Sequence, residues 1–289
     1  MRKALFYVIG FFCSYLAMGQ TTNILYPDLY TVYDANMYMV NPAYVPKETK
    51  TDLTAFYKFQ TGAFKDVATM AFSAAKLYER ENEAIHSIRL SVTNEKQGPY
   101  ISSPRAYANY AYELPLGLET RLALGLSFGF AGMNYSGMST GNVNTFLPDG
   151  AGGLVFTFRE FRLGVSGQQL LDTKSKPFSS QIELKRYYHV HFSHQLDITE
   201  GCQWKYYGLY RYLPNIPNEL LVGTQLLFQK TFGIGAVARS NAGMSIYAEI
   251  ALDSERDRLK LVLNYNSSFF KLIPTFQDSM ELGVGYVLK

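Results

Sequence analysis

The segment His189-Val-His-Phe-Ser-His194 gathers three of the four histidines of this 289-residue chain, the densest set of chemically capable side chains in it. On a strand, His189 and His191 share a face, so their imidazoles could share a metal ion. His194 has the opposite parity and joins them only across a bulge. No Cys or carboxylate stands at a spacing that completes a ligand set. His191 also precedes Ser193 by two, an arrangement in which an imidazole could activate a hydroxyl nucleophile. Acting on lipid, that pair would have to face lipid. Phe192 is the better lipid-facing residue and sends His191 and Ser193 to the other side. The segment therefore reads as inward polar residues of a strand, with no catalytic residue, metal or cofactor expected.

The elements that would position such residues are long alternating strands. In Arg121–Phe130, Leu122, Leu124, Leu126, Phe128 and Phe130 share one face, and Arg121, Ala123, Gly125, Ser127 and Gly129 the other. Transmembrane barrels use tilted strands of about ten residues, apolar toward lipid and polar or small toward the lumen. Fourteen segments fit: 51–60, 66–75, 85–94, 104–113, 120–131, 152–159, 161–168, 186–196, 202–212, 219–229, 232–239, 244–252, 258–266 and 280–289. Alternation is blurred in 66–75 and 202–212; without them the count is twelve, also even. The expected fold is all-β, a closed antiparallel transmembrane barrel over residues 51–289. The long connections Ser136–Gly150, Leu170–Lys185 and Ser267–Ser279 all have odd rank, and the even ones are tight except Lys76–Glu83. Long outer loops and short periplasmic turns give that segregation, with the N- and C-termini periplasmic. Parity sends Arg121, Arg159, Arg162, Gln225, Gln229, Arg239, Glu249, Lys260, Asn264 and Glu281 to the lumen. Charge there is costly unless paired or wet, so ladders that rigidify or occlude the lumen are expected.

Export is legible at the start. Arg2-Lys3 precedes the apolar run Ala4–Leu16, and Ala17-Met-Gly19 carries small residues at the cleavage positions, so residues 1–19 read as a signal peptide and Gln20 as the mature start. The run is too short for the roughly 20 residues that span a bilayer. Cys13 leaves with the signal and Cys202 stays single, so the mature chain forms no internal disulfide. The net charge of +3 and the lack of a basic stripe give no sign of nucleic acid. Tyr 23 and Phe 20 are heavy use, as aromatic girdles at two membrane interfaces require.

Between signal and barrel lies a lead, residues 20–50, dense in Tyr26, Tyr30, Tyr33, Tyr38 and Tyr44. Such a segment packs on something, most simply the periplasmic mouth or inner wall; the small inner face of Arg121–Phe130 leaves room for it. Asp34-Ala-Asn-Met-Tyr-Met-Val-Asn-Pro-Ala-Tyr44 resembles the N-terminal signature of the PorP/SprF family of type IX secretion outer-membrane proteins. Similar in order are Tyr57-Lys-Phe-Gln60, Tyr110–Gly117 with Leu122–Leu126, Phe161–Gly167 followed by Gln168–Leu171, and Asp278–Leu282 with Gly285-Tyr286. The Gln60 motif departs from the family's Gln-aromatic pair, Ser-Met-Glu281 stands where the family more often has Ser-His-Glu, and Lys289 replaces the usual terminal aromatic of barrels.

The resemblance implies a non-enzymatic barrel in the outer membrane of a Gram-negative cell that supports export or surface attachment of type IX cargo such as adhesins. Its partners would be that cargo, periplasmic secretion lipoproteins and outer-membrane lipid. It implies structural or partner roles for Asn41, Pro42, Ala43, Tyr44, Gln60, Gly164, Ser166 and Glu281. The charge run Asp253–Arg258 is either a solvated turn or a docking point. FadL-type transporters share an Asn-Pro-Ala near an N-terminal hatch inside a fourteen-stranded barrel, which makes passage of hydrophobic small molecules the alternative.

Overall fold

The structure, a computed structural model, describes residues 22–46, 49–79, 84–136, 142–176, 181–240, 243–267 and 278–289. The strands in chain order are β1 (Thr22–Ile24), β2 (Thr51–Gln60), β3 (Val67–Glu79), β4 (Ile85–Gln97), β5 (Ile101–Pro115), β6 (Thr120–Tyr135), β7 (Val143–Phe158) and β8 (Phe161–Gln168). They continue as β9 (Lys174–Ser175), β10 (Gln181–Glu183), β11 (Tyr187–Thr199), β12 (Cys202–Tyr212), β13 (Glu219–Phe228), β14 (Phe232–Arg239), β15 (Gly243–Asp253), β16 (Asp257–Ser267) and β17 (Ser279–Leu288). Fourteen of them, β2–β8 and β11–β17, close an antiparallel barrel. β17 zips onto β2 from Ser279↔Gln60 to Leu288↔Thr51, and β8 meets β11 across the longest described connection. Closure leaves no free sheet edge in the wall, which a lipid setting demands.

All fourteen expected barrel strands are present, the two blurred ones included. Several run longer than the sequence suggested. β7 begins at Val143 and pairs Val143↔Tyr135 through Phe158↔Thr120, so most of Ser136–Gly150 is wall and not loop. Pro148 and Asp149 interrupt its alternation, and that hid the strand. β3 continues to Glu79, which shortens the one even connection that looked too long. Residues 268–277 of the last odd connection, and the signal segment, lie outside the described residues.

The alternation has its expected sense. Leu126, Phe128 and Phe130 are 58, 64 and 57% exposed, whereas Ala123, Gly125 and Ser127 are buried. Each barrel strand shows such an apolar outward row, the surface a bilayer covers. Aromatic pairs mark both rims: Tyr57 with Phe59 and Tyr188 with Tyr212 at one, Trp204 with Tyr206 and Phe228 with Phe232 at the other.

The core sits inside the barrel. Residues 25–45 fill the lumen, with Tyr30, Tyr33, Val40 and Ala43 at most 2% exposed. One rim, the turn mouth, carries the short connections and Lys289. The other, the loop mouth, carries the 169–186 connection, where β1 pairs in parallel with β10 from Thr22↔Gln181 to Ile24↔Glu183. Leu25 then packs on Met133, Leu147, Ile182 and Leu184. The lead next crosses the lumen, where a 3-10 helical stretch, Tyr33–Met39, packs on the β12–β16 wall, and it enters β2 at the turn mouth. The lead runs the length of the lumen along the inner wall, one of the two placements expected of it. Residue 22 and Lys289 lie at opposite mouths, so the described ends do not share one.

Candidate functional site

The residues the sequence singled out converge where the lead passes β6, β7, β8 and β11. Register aligns Gly125↔Gly153, Gly153↔Ser166 and Ser166↔His189 in one cross-strand row. One step toward the turn mouth, Ala123↔Val155, Val155↔Gly164 and Gly164↔His191 form the next. Asn41-Pro42-Ala43 lies against these rows in close backbone contact. A Cβ at Gly125 would overlap the backbone of Ala43 and Pro42, and one at Gly153 would overlap the Asn41 side chain. At Gly164 it would meet His191 and Asn41. Only hydrogen in place of a side chain lets the lead come this near.

Hydrogen bonds fix the seat. The two hydrogens of the Asn41 amide nitrogen are shared among three acceptors, Leu154 O at 3.0 Å, Val165 O at 3.1 Å and His191 Nε2 at 3.1 Å. Asn41 Oδ1 accepts the Ala43 N–H at 2.9 Å, which tightens the turn. The Val40 carbonyl accepts from Ser166 Oγ at 2.6 Å, Gln168 Nε2 at 2.9 Å and His189 Nδ1 at 2.9 Å. A carbonyl offers no proton, so His189 carries its hydrogen on Nδ1. His191 accepts from Asn41 and so carries its own on the other nitrogen.

His189 and His191 both point inward and both bind the lead. Ser166 Oγ stands 3.5 Å from His189 Nδ1, but each directs its hydrogen to Val40, so neither activates the other. His194 sits on the outer side among Phe161 and Tyr206. Among the described residues no three His, Cys, Asp or Glu side chains gather as a metal site.

A second grip holds residues 27–34. Glu281 accepts the Thr31 N–H at 2.9 and 3.0 Å and the Val32 N–H at 3.3 Å. Lys58 Nζ reaches Asp28 at 2.6 Å, and Arg239 stands 3.7 Å from the same carboxylate. Arg239 and Arg211 share Glu219, and Arg211 also donates to Pro27 O at 2.7 Å. Asp34 pairs with Lys205. Burial works against the Asp28 charge, but Lys58 and Arg239 more than offset it and hold its pKa down at about 2. Burial likewise opposes the Asp34 charge, and Lys205 holds that carboxyl below its usual range. The expected lumen ladder exists, and the lead is one of its rungs.

Of the family-motif residues, Asn41, Pro42, Ala43, Gly164 and Ser166 share one contact region. Tyr44 stands apart under Arg162, whose guanidinium lies 5.4 Å from its ring centre. Glu281 belongs to the ionic grip. Gln60 is elsewhere, at the loop-mouth end of β2, opposite Ser279. Gln225, Arg239, Glu249 and Asn264 are buried toward the lumen as parity required. Arg159 and Gln229 are not. Their strands end one residue earlier, and both lie exposed in turns with positive φ, 53° and 50°. Gly153 and Gln168 were missed as contacts; Gly153 carried a readable signal, a glycine at lumen parity registered with Gly125.

These features define a class: a fourteen-stranded outer-membrane barrel whose lumen is filled by its own N-terminal segment. Solved structures share that barrel. The toluene transporter TodX of Pseudomonas putida matches with a TM-score of 0.55 at 8% identity, over 90% of this chain and 94% of that one. The CymD monoaromatic hydrocarbon channel matches at 0.58 and 10%, over 90% and 94%. A Pseudomonas aeruginosa FadL homologue matches at 0.53 and 9%, over 86% and 92%. At such identities the likeness is one of fold. No curated protein matches the chain. The family model described as "Type IX secretion system membrane protein PorP/SprF" matches residues 23–286. The chain belongs to the PorP/SprF family.

Proposed function

We propose that this protein is a non-enzymatic barrel of the type IX secretion system that supports export or surface attachment of secreted proteins, adhesins among them, through protein–protein contacts. The observation that carries the reading is the family match over nearly all of the chain. A lumen packed with Tyr30, Tyr33, Val40 and Ala43 supports it, because a filled barrel suits a docking platform better than an open pore. In this reading residues 1–19 are removed, residues 20–50 plug the barrel and residues 51–289 form it. The turn mouth faces the periplasm, as short connections do in such barrels. The motif residues Asn41, Pro42, Ala43, Tyr44, Gly164, Ser166 and Glu281 then serve to seat the plug. Periplasmic secretion lipoproteins meet the turn mouth, and cargo meets the loop mouth.

The test is deletion of the gene with a count of surface-displayed type IX cargo, paired with pull-down from solubilised outer membrane. Display should fall, and the pull-down should recover cargo or a periplasmic secretion lipoprotein. Unchanged display with neither partner recovered would overturn the reading.

A second reading takes support from barrel neighbours whose names are hydrocarbon channels: passage of hydrophobic small molecules. It requires uptake of such a compound to drop on deletion while cargo display holds.

A further inference from the structure

The turn mouth opens into a polar cavity of about 340 Å³ between the lead and the wall. Arg162, Lys205, Arg258, Lys260 and Lys289 line it, against Asp34, Asp52 and Glu160. Most of these charges are already matched. Lys205 holds Asp34, Lys260 holds Glu249 at 2.9 Å, Arg258 and Lys289 share Asp253, and Asp52 is held by Arg89 at 2.9 Å. Arg162 takes part in none of those pairs; its guanidinium rests over the Tyr44 ring and is hydrogen-bonded to the Tyr44 side chain. Ser193 is its directly registered neighbour on β11, and Gln195 is registered with Lys205 one step along. Arg162 and Lys205, with Ser193 and Gln195 beside them, therefore border one part of this space. The lead contributes one carboxylate to the cavity, Asp34, and the wall contributes Asp52 and Glu160.

We propose that this mouth receives an acidic peptide segment of a partner protein, with one carboxylate on Arg162 and another exchanging with Asp34 on Lys205. A planar guanidinium stacked on an aromatic ring is a preorganised carboxylate clamp. Met37, Tyr38, Tyr44 and Pro46 line the same cavity and offer apolar contact to a peptide that a small inorganic anion cannot use. The volume lies within the roughly 300–1,000 Å³ of ordinary ligand pockets. Displacing Asp34 loosens the 3-10 stretch Tyr33–Met39, so binding at the mouth reports to the plug. The partner's assignment as a secretion component rests on the proposed function; the site itself rests on this geometry.

The experiment uses the full mature chain in detergent micelles with a fluorescein-labelled Glu-rich peptide and its Gln counterpart, read by anisotropy. The Glu peptide should bind at least about tenfold more tightly than the Gln peptide. Arg162→Gln should weaken it by about tenfold, Arg162→Lys by less, and Lys230→Gln, on an exposed turn of the same rim, not at all. Hydrogen exchange over residues 33–38 should rise when the peptide binds. A barrel whose gel mobility still shifts on heating shows that each variant is folded. Equal binding of both peptides, or no loss in Arg162→Gln, overturns the proposal. So does full displacement by millimolar inorganic phosphate, which marks a simple anion site. Because micelle binding is read without secretion, its failure leaves the secretion reading intact, and unchanged cargo display leaves this one intact.

Discussion

Two stretches of the lead cross the same lumen and are held by different physics. Residues 40–45 are held by shape: backbone laid on glycines, with short hydrogen bonds to the β7, β8 and β11 wall. Residues 27–34 are held by charge: Lys58, Arg239, Lys205 and Glu281 grip carboxylates and amides around larger side chains. Close packing has no slack, because every added atom must displace another. An ionic cage keeps slack, since long side chains re-aim. The difference teaches which end of the plug is fixed and which is built to yield. Local hydrogen exchange of residues 28–34 against 40–45, measured in micelles, is the common readout.

The largest effect is expected from Gly125→Val. Its added atoms overlap the backbone of Ala43, which cannot move without pulling Asn41 off three partners. Overpacking of this kind costs about 1–3 kcal/mol or more, and release of the seat is the cheaper outcome. Residues 40–45 should exchange freely and the lumen should conduct in planar bilayers, while the barrel still shows heat-shifted mobility. Protection of 40–45 equal to the parent would break the steric half of the comparison.

Asn41→Ala comes next. It leaves Ala43 N–H and wall carbonyls without their partner, at about 1–3 kcal/mol per stranded buried group. Protection should fall over 40–45 and hold over 28–34. Glu281→Gln should do the reverse, by about 1–2 kcal/mol, because a neutral amide accepts the Thr31 and Val32 N–H groups more weakly and no longer faces Lys58. If both substitutions loosen both stretches equally, the plug moves as one unit and the division fails.

These contrasts were unevenly legible in the sequence. The barrel was open to reading because parity is written residue by residue: Leu124 out, Gly125 in. Where Pro148-Asp149 broke the alternation, eight residues of β7 passed for loop. Of the site, Asn41, Gly164, Ser166, His189 and His191 were each visible as motif or inward polar residue, but not their meeting. That meeting is set by the stagger of β6, β7, β8 and β11, a property of ladder register that no local pattern encodes. The course of the lead was hidden for a related reason. Its tyrosines said that it packs, while the pairing of Thr22–Ile24 with Gln181–Glu183, which decides the direction, joins segments too short to announce themselves as strands.

The smallest effect tests the yielding end by pH. Asp28 has its pKa held near 2, below the unfolded carboxyl value of about 4, so its contribution to docking is complete above the unfolded value and is lost as pH falls through about 2. Its side chain is 31% exposed, so solvent screens the pairs with Lys58 and Arg239, and the effect is expected at or below about 1 kcal/mol. Pepsin cleavage within residues 25–34 should stay flat from pH 5 to pH 4 and rise toward pH 2. Asp28→Asn should show a slightly raised rate already at pH 5 and a smaller rise below it. The clamp at 40–45 contains no carboxylate, so any acid response there comes from the wall histidines that hold it, His189 and His191, and not from the lead. An acid response of equal size in both stretches would mean that protonation of the wall, and not of the lead, governs release.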